Sequence, residues 1–415
     1  MTIARNPGDE RADEAGWPWS HRKTFLERLA VQGYAAVTIQ EYRTIAGRFC
    51  DAIEKRGLRI GDLDPATTER LRHSVLSGVT GSARSYAKFC ARRFIDHLIE
   101  AGVATAARPQ KKKLTWLDRL RGEYEDYLRK QRGLAESTIY HGTRFMERFL
   151  AFRFGDKLGD LNAITPDDIV AFICQLKDGS HPHRQKALPS HLRNLFKFLF
   201  WSGKTKRDLA ASLPRVATAA NHLPRYLKPE EIHQLIESVQ TDEAIGRRNY
   251  AMLLLMARLG LRAPEVIAIQ LGDIDWRAGE ILIRGKGKLH DRMPLPTDVG
   301  EAIVEYIKNG RKSDSRVLFV SAKAPHPPFK DASILNTLLR DAFEKTHLKP
   351  PQKYVGSHLL RHSLATDMLR KGASLDEIGD VLRHRSRMTT TIYAKYDVNA
   401  LRSIARPWPV GGNAQ

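Results

Sequence analysis

A pattern of residues recurs in the first half of the chain at an offset of one hundred positions, and it restricts the possible fold more than any other feature. Six residues have an identical counterpart one hundred positions later: Gly33, Ala35, Thr38, Ile39, Arg48 and Phe49 recur as Gly133, Ala135, Thr138, Ile139, Arg148 and Phe149. Weaker matches follow at similar spacing: Gly61-Asp62-Leu63 corresponds to Gly159-Asp160-Leu161, and Phe94, Leu98 and Gly102 correspond to Leu195, Leu199 and Gly203. Chance agreement between two helical patterns is the alternative explanation. Two copies are too few for a solenoid, so we predict two separate helical modules of common origin.

The spacing of apolar residues and of Pro, Gly and Lys predicts how the 415 residues divide. We predict a flexible leader (1–18), a first helical module (19–105), a linker (106–114), a second helical module (115–213), a linker (214–225), a third domain (226–398) and a tail (399–415). In the third domain, EILIRG and RMPLP predict two short strands around the turn-rich GKGKLHD, and helical patterns surround them. The predicted fold class is therefore mainly α, with two helical modules followed by a mixed α+β domain that contains a small antiparallel sheet.

The charge of the chain indicates nucleic acid as a partner. Lys and Arg number 68 against 47 Asp and Glu, a formal net charge of +21 with His neutral. The three cysteines stand far apart, which excludes a disulfide scaffold and a cysteine-rich zinc site and suits a reducing cytosol. The polar N-terminus and the lack of a long apolar run predict neither a signal peptide nor a membrane span. We expect a cytoplasmic protein associated with the bacterial nucleoid.

Two segments that resemble known motifs do not meet the requirements of those motifs. Residues 279–286 approximate a phosphate-binding loop, but Gly287 stands where Ser or Thr should bind magnesium. His358 and His362 are four residues apart, as zinc ligands of metalloproteases are, but Leu359 replaces the required Glu. We therefore expect neither an ATPase nor a metalloprotease, and a structural or solvent-facing role for His362.

The last third of the chain carries an ordered set of residues that suits attack on a phosphodiester: Arg262, Lys286, His358, Arg361, His384 and Tyr393. A phosphodiester gains a second negative charge in its transition state, and arginine forks bind paired phosphate oxygens while staying charged. A tyrosine hydroxyl can attack phosphorus and conserve the bond energy, and a lysine at a hairpin tip can protonate the leaving oxygen. Each residue alone has an ordinary structural explanation, but the ordered set predicts phosphoryl transfer.

Four segments resemble the signature boxes of the tyrosine recombinase, or phage integrase, family: GLRAPEVIAIQLGDID, RGKGKLHDRMPLP, SHLLRHSLATDML and LRHRSRMTTTIYAKYD. The resemblance covers about residues 225–398 and implies a helical catalytic domain with a small sheet. It also implies that residues 115–213 are a SAM-like core-binding domain that closes around DNA together with the catalytic domain. The implied activity is site-specific recombination of double-stranded DNA through a 3′-phosphotyrosyl intermediate, with no metal or cofactor.

The resemblance implies one role for each of the six residues: phosphate binding for Arg262 and Arg361, protonation of the leaving 5′ oxygen for Lys286, assistance to proton transfer for His358, a hydrogen bond to the phosphate for His384, and nucleophilic attack for Tyr393. Tyr396 is a competing nucleophile, but the nine-residue gap from His384 favours Tyr393. Arg383 departs from the family pattern, which commonly has Gly before this His. Its side chain either alters the turn or contacts DNA.

The leading functional prediction is a recombinase, either an integrase or a transposase, of a mobile element that acts as a homotetramer on two synapsed DNA sites. The C-terminal tail resembles members that are encoded side by side as a recombinase trio, so related recombinases are possible partners. The alternatives are relaxation of DNA like that by a type IB topoisomerase, and DNA binding without catalysis. Candidate DNA-contacting residues lie in the second module: Thr138, Tyr140, Arg144, Lys197, Lys204 and Lys206.

Overall fold

The structure is a computed structural model, and it describes residues 16–106, 114–155, 159–177, 182–213, 225–285, 290–351, 356–384, 386–390 and 392–393. These residues group into two compact units. One unit contains the described residues of 16–106 together with those from 225 onward, and the other contains the described residues of 114–213. In the part of the chain that the structure describes, no helix is long and apolar enough to cross a membrane.

Residues 16–106 form four helices: α1 (Trp19–Val31), α2 (Ala36–Glu54), α3 (Pro65–Val75) and α4 (Gly81–Glu100). The start of α3 is specified locally, because the Asp64 carboxylate accepts a hydrogen bond from the Thr67 N–H and Pro65 occupies the first turn. The apolar faces of the four helices enclose one core that is rich in aromatic residues.

The described parts of 114–213 form four further helices: α5 (Trp116–Asp126), α6 (Glu136–Phe154), α7 (Pro166–Lys177) and α8 (Pro182–Trp201). A wider helical turn, Tyr127–Gln131, continues α5. Thr115 and Asp118 cap the start of α5 reciprocally, each side chain accepting a backbone N–H of the other residue. This bundle also encloses a core of its own.

The two bundles reproduce the one-hundred-residue repeat in their structure. Helices α2 and α6 each contain 19 residues, and their ends are displaced by one hundred positions. Gly33 and Gly133, which precede them, both adopt positive φ values, +80° and +60°. Phe49 and Phe149 are both fully buried in their respective cores. The recurring residues therefore occupy equivalent positions in two helical bundles.

The described residues from 225 onward form a mixed region. Its helices are α9 (Pro229–Glu237), α10 (Ala244–Leu259), α11 (Ala263–Ala268), α12 (Thr297–Asn309), α13 (Ser333–Thr346), α14 (His358–Arg370), α15 (Leu375–Val381) and α16 (Arg387–Thr390). Its strands are β1 (Ile274–Asp275), β2 (Glu280–Arg284) and β3 (His290–Pro294), in an antiparallel sheet of order β1-β2-β3. Ile281 pairs with both Ile274 and Met293, which places apolar side chains on one face. The predicted mainly α fold with a small antiparallel sheet is confirmed.

Two cores in this region position the residues discussed below. The larger core surrounds α10, which packs against α12 and α14. A smaller core contains Ala365, Ile378, Leu382 and Tyr393, and joins α14 to α15 and α16. The predicted domain boundaries near 106–114 and 214–225 fall largely on residues 107–113 and 214–224, outside the described residues, and they stay predictions.

Candidate active site

Arg361 holds the centre of the site together. It lies in the first turn of α14 and is only 4% exposed. Its Nη1 donates to the carbonyl oxygen of Gly260 at 2.6 Å, and its Nη2 donates to the carbonyl oxygen of Leu382. The buried guanidinium thereby connects α14 to the end of α10 and to the turn that follows α15. Burial and the charges of Arg262 and Arg383 lower the pKa of Arg361 to about 10, so it stays charged at neutral pH.

Gly260 is required at the end of α10 for two reasons. Its φ is +58°, a left-handed conformation that glycine adopts without strain. A Cβ at this position would also lie 2.7 Å from Leu382 Cδ2 and 3.0 Å from Leu364 Cδ2. The glycine therefore lets the backbone carbonyl approach Arg361 closely, and the LGLR segment sets the position of Arg262 two residues later.

Arg262 is fixed by a buried carboxylate. Its backbone N–H donates to Glu265 Oε2 at 2.8 Å, and its Nη1 donates to Glu265 Oε1 at 2.7 Å. Arg383 Nη2 donates to Glu265 Oε2 at 2.9 Å. Burial alone would raise the pKa of Glu265, which is 5% exposed, but the hydrogen bonds from Arg262 and the charge of Arg383 outweigh burial and lower it. Glu265 is therefore ionised and shared by two arginines, while the Arg262 side chain remains 34% exposed.

His358 and His384 are held neutral beside these arginines. Burial, followed by the charges of Arg361 and Arg262, lowers the pKa of His384 to about 4. His358 is exposed, yet desolvation by neighbouring protein atoms and the charges of Arg361 and Arg262 also lower its pKa. His384 Nδ1 lies 2.7 Å from Thr390 Oγ1, and this contact holds the ring against α16. A neutral imidazole has one donor and one acceptor, so each ring can exchange a proton or bind an oxygen.

Tyr393 makes its hydroxyl contact with a residue to which the sequence analysis gave a structural or solvent-facing role. Tyr393 Oη lies 2.7 Å from His362 Nδ1, and the two ring centroids are 5.8 Å apart. Burial and the neighbouring His358 and Arg361 lower the pKa of His362 to about 4. The imidazole is therefore neutral at neutral pH, and in the tautomer that carries its proton on Nε2, Nδ1 accepts the hydrogen bond of the phenol. The sequence placed His362 directly after Arg361, which indicates proximity to the site. The sequence analysis considered His362 only as a possible zinc ligand, because it stands four residues after His358.

The structure thus brings five of the six predicted catalytic residues to one place: Arg262, His358, Arg361, His384 and Tyr393. Each of them interacts electrostatically with at least one other member of the set. Lys286 lies outside the described residues, as does the competing nucleophile Tyr396. Among the residues that the structure describes, no three His, Cys, Asp or Glu side chains are grouped so that they could hold a metal ion.

The candidate DNA-contacting residues are distributed over α6, α8 and the segment after α8. Tyr140 and Arg144 are exposed one turn apart on α6, and Thr138 in the first turn of the helix is partly buried. Lys197 Nζ lies 6.0 Å from the centroid of the exposed Trp201 ring. Lys204 forms an ion pair with Glu123 at 2.8 Å, and the backbone N–H of the exposed Lys206 donates to Asn162 Oδ1 at 2.9 Å. Their contact with DNA stays a prediction.

The lowered histidine pKa values predict that acid destabilises the fold. His362 and His384 have pKa values of about 4 in the folded protein against an ordinary 6.5. Below pH 6.5 the unfolded chain therefore binds protons that the folded chain does not bind, and the free energy of unfolding falls as the pH decreases toward 4. We expect the melting temperature, followed by circular dichroism, to fall through this window and to fall less steeply in His362→Asn. Parallel curves for the two proteins would contradict the assignment.

Comparisons with known proteins identify the family to which this arrangement belongs. The model of the phage integrase family matches residues 225–399, and the model of the phage integrase N-terminal SAM-like domain matches residues 122–203. A Sinorhizobium fredii protein with the name integrase/recombinase y4rA is 35% identical over 398 residues, which are 94% of each chain. The chain belongs to the phage integrase family of tyrosine recombinases. The predicted enzyme class, a tyrosine-type DNA recombinase, is thereby confirmed.

Further relatives of this recombinase agree with the assignment. The tyrosine recombinase XerC of Anoxybacillus flavithermus is 29% identical over 290 residues, which are 67% of this chain and 93% of the relative. Among solved structures, the XerH site-specific recombinase bound to a palindromic difH substrate has a TM-score of 0.54 and 19% identity, over 81% of this chain and 93% of that one. A lambda integrase dimer bound to a core site has a TM-score of 0.51 and 16% identity, over 71% and 99%. The two structures support the fold.

Proposed function

We propose that the recombinase cleaves DNA with the Tyr393 hydroxyl and conserves the broken bond as a 3′-phosphotyrosine. The observation that carries this proposal is the 2.7 Å contact of Tyr393 Oη with the neutral His362, on the same helix that carries His358 and Arg361. A hydroxyl beside a neutral base and close to a buried guanidinium has both a proton acceptor and a binding site for the phosphate that it attacks.

Arg262 and Arg361 bind the scissile phosphate in this proposal. Arg361 uses one N–H of each terminal nitrogen on a backbone carbonyl, and a guanidinium has five N–H donors, so donors remain for phosphate oxygens. Arg262 is partly exposed and oriented by Glu265. Because both side chains are fixed before DNA binds, little reorganisation is needed when the second negative charge develops on phosphorus.

The proton and bond changes balance over one cleavage step. The bond from Tyr393 Oη to phosphorus forms while the bond from phosphorus to the 5′ oxygen breaks. The proton of the hydroxyl passes to His362 Nδ1, and the leaving oxygen takes a proton from Lys286, a role that rests on the family resemblance. When the Thr390 hydroxyl donates to Nδ1 of His384, Nε2 carries the proton and can donate to a phosphate oxygen. Rejoining reverses these steps and requires no external energy source.

The substrate that we propose is double-stranded DNA of a mobile element, recombined by a homotetramer on two sites and with related recombinases as possible partners. The net charge of +21 supports strong, salt-dependent binding to DNA. The Tn1549 transposon integrase, solved in complex with a circular intermediate DNA, shares the fold at a TM-score of 0.51 and 15% identity. In this proposal the enzyme acts at the nucleoid in the bacterial cytoplasm, and the candidates on α6 and α8 contact the duplex.

The experiment that tests the function uses two substrates. Duplexes selected for binding from a random-sequence pool are nicked near the bound site, so that a short strand diffuses away after cleavage and the covalent product accumulates. We expect a covalent adduct on denaturing gels, and strand exchange between two sites on one plasmid. Relaxation of a plasmid with one site, without exchange between two, would favour the topoisomerase-like activity. DNA binding without any adduct would favour the catalytically silent alternative.

A further inference from the structure

Arg383 occupies a backbone position that favours glycine. The N–H of Arg383 donates to the Asp380 carbonyl oxygen at 3.0 Å, and the N–H of His384 donates to the Gly379 carbonyl oxygen at 2.8 Å. These two bonds form a Schellman motif that ends α15, and φ of Arg383 is +54°. An L side chain is strained in this left-handed region, which explains why the family pattern commonly has Gly here. Arg383 therefore adopts the turn conformation that suits glycine.

The side chain of Arg383 points into the protein. It is 9% exposed, and its guanidinium contacts Met293 Sδ on β3 and donates to Glu265 Oε2 at 2.9 Å. The same carboxylate oxygen accepts the backbone N–H of Arg262, and the other oxygen accepts Arg262 Nη1. Burial lowers the pKa of Arg383, while Glu265 and, more weakly, Asp291 on β3 favour its charged form. One buried carboxylate thus holds two arginines from two different elements.

The second arginine changes the charge available to a bound phosphate. With Gly at position 383, the Glu265 carboxylate would be neutralised by Arg262 alone, and the positive charge of Arg262 would be largely compensated. With Arg383 present, two positive guanidinium groups share the single negative charge of Glu265. The group of three side chains then carries a net charge of one positive unit toward the phosphate-binding side. The scissile phosphodiester already carries one negative charge, which repels the incoming tyrosine oxygen as the second charge develops, so an added fixed positive charge that offsets this repulsion favours the transition state over the ground state.

We propose that Arg383 is a positioning residue for Arg262: it binds Glu265 from the side of the α15 turn, so that the carboxylate keeps Arg262 oriented without cancelling the charge that Arg262 presents to the scissile phosphate. This inference rests on the proposed phosphate-binding role of Arg262. It explains why the chain retains a strained arginine where glycine would fit. It also assigns the residue a catalytic effect through another side chain rather than a direct contact with DNA.

The test compares Arg383→Gly and Arg383→Lys with the wild-type recombinase on the nicked substrate. Arg383→Gly keeps the turn and removes the charge, and we expect its single-turnover cleavage to slow by about 10- to 100-fold, the size expected for losing a hydrogen bond to a charged group. The Kd for DNA should change much less than the cleavage rate. Arg383→Lys should restore part of the rate. On a substrate with a methylphosphonate at the scissile position, which lacks one negative charge, the defect of Arg383→Gly should become smaller.

Two controls separate this role from a purely structural one. His347, at the end of α13, also has a φ of +54°, and His347→Gly should cleave at the wild-type rate. If Arg383→Gly fails to fold, the ratio of rates on the two substrates is compared for Arg383→Lys and the wild type. A defect of equal size on both substrates, or a wild-type rate in Arg383→Gly, would overturn the proposal. No adduct with the wild-type protein would instead refute the proposed function itself.

Discussion

Tyr393→Phe should abolish the covalent protein–DNA adduct while the protein stays folded and continues to bind DNA. The Phe ring preserves the packing of position 393 against Ile378 and Leu382 but lacks the attacking oxygen. The variant loses the hydrogen bond to His362, at a cost of about 1 kcal/mol of folding stability, which a domain of this size tolerates. The measurement is the fraction of nicked substrate that becomes covalently attached to protein, with the Kd for an intact duplex measured in parallel.

Two matched variants show whether the effect belongs to this hydroxyl. Tyr396→Phe removes the competing nucleophile, and it should form the adduct as the wild type does. Tyr306→Phe removes the hydroxyl of a tyrosine that is buried in the larger core, away from the proposed site, and it should also retain adduct formation. An adduct in Tyr393→Phe, together with its loss in Tyr396→Phe, would transfer the nucleophile to position 396.

The parts of the fold that the sequence predicted are those that local interactions determine. The hairpin of β2 and β3 followed from two β-prone segments around a turn-rich segment, and the structure pairs Ile281 with Met293 across it. A glycine after a Leu-rich helical segment predicts a helix end, and Gly260 ends α10 in a left-handed conformation. Strand β1 was not predicted, because Ile274 and Asp275 are too few residues to show an alternating pattern.

The site was predictable in its residue types and order but not in its contacts. His362 meets Tyr393 across 31 positions of sequence, and Arg383 meets Glu265 across 118. No periodicity of helix or strand relates residues so far apart, and only the packing of α11, α14 and α15 brings them together. The direction of the Arg383 side chain also depends on the left-handed turn at this residue. From the sequence alone, it was open whether the arginine alters this turn or contacts DNA.

His362→Asn should slow cleavage by about 10²- to 10⁴-fold, the usual effect of losing a general base. The Asn amide oxygen can accept a hydrogen bond from the Tyr393 hydroxyl, as an unprotonated Nδ1 does, but it cannot take the proton away. The substitution therefore separates positioning of the hydroxyl from proton transfer. With the base absent, deprotonation depends on solvent, and we expect the cleavage rate of the variant to rise with pH between about 7 and 9, below the ordinary tyrosine pKa. The wild-type rate should vary much less over this range.

The control for His362→Asn is the same substitution at His233, which is exposed on α9 and paired with Glu237 at 3.0 Å. It should leave both the rate and its pH dependence unchanged. Cleavage by His362→Asn at the wild-type rate would show that the hydrogen bond only places the phenol. Faster cleavage would show that His362 restrains Tyr393, which is 1% exposed and must become accessible before it can reach DNA. Only a slower rate that recovers as the pH rises supports His362 as the group that accepts the nucleophile's proton.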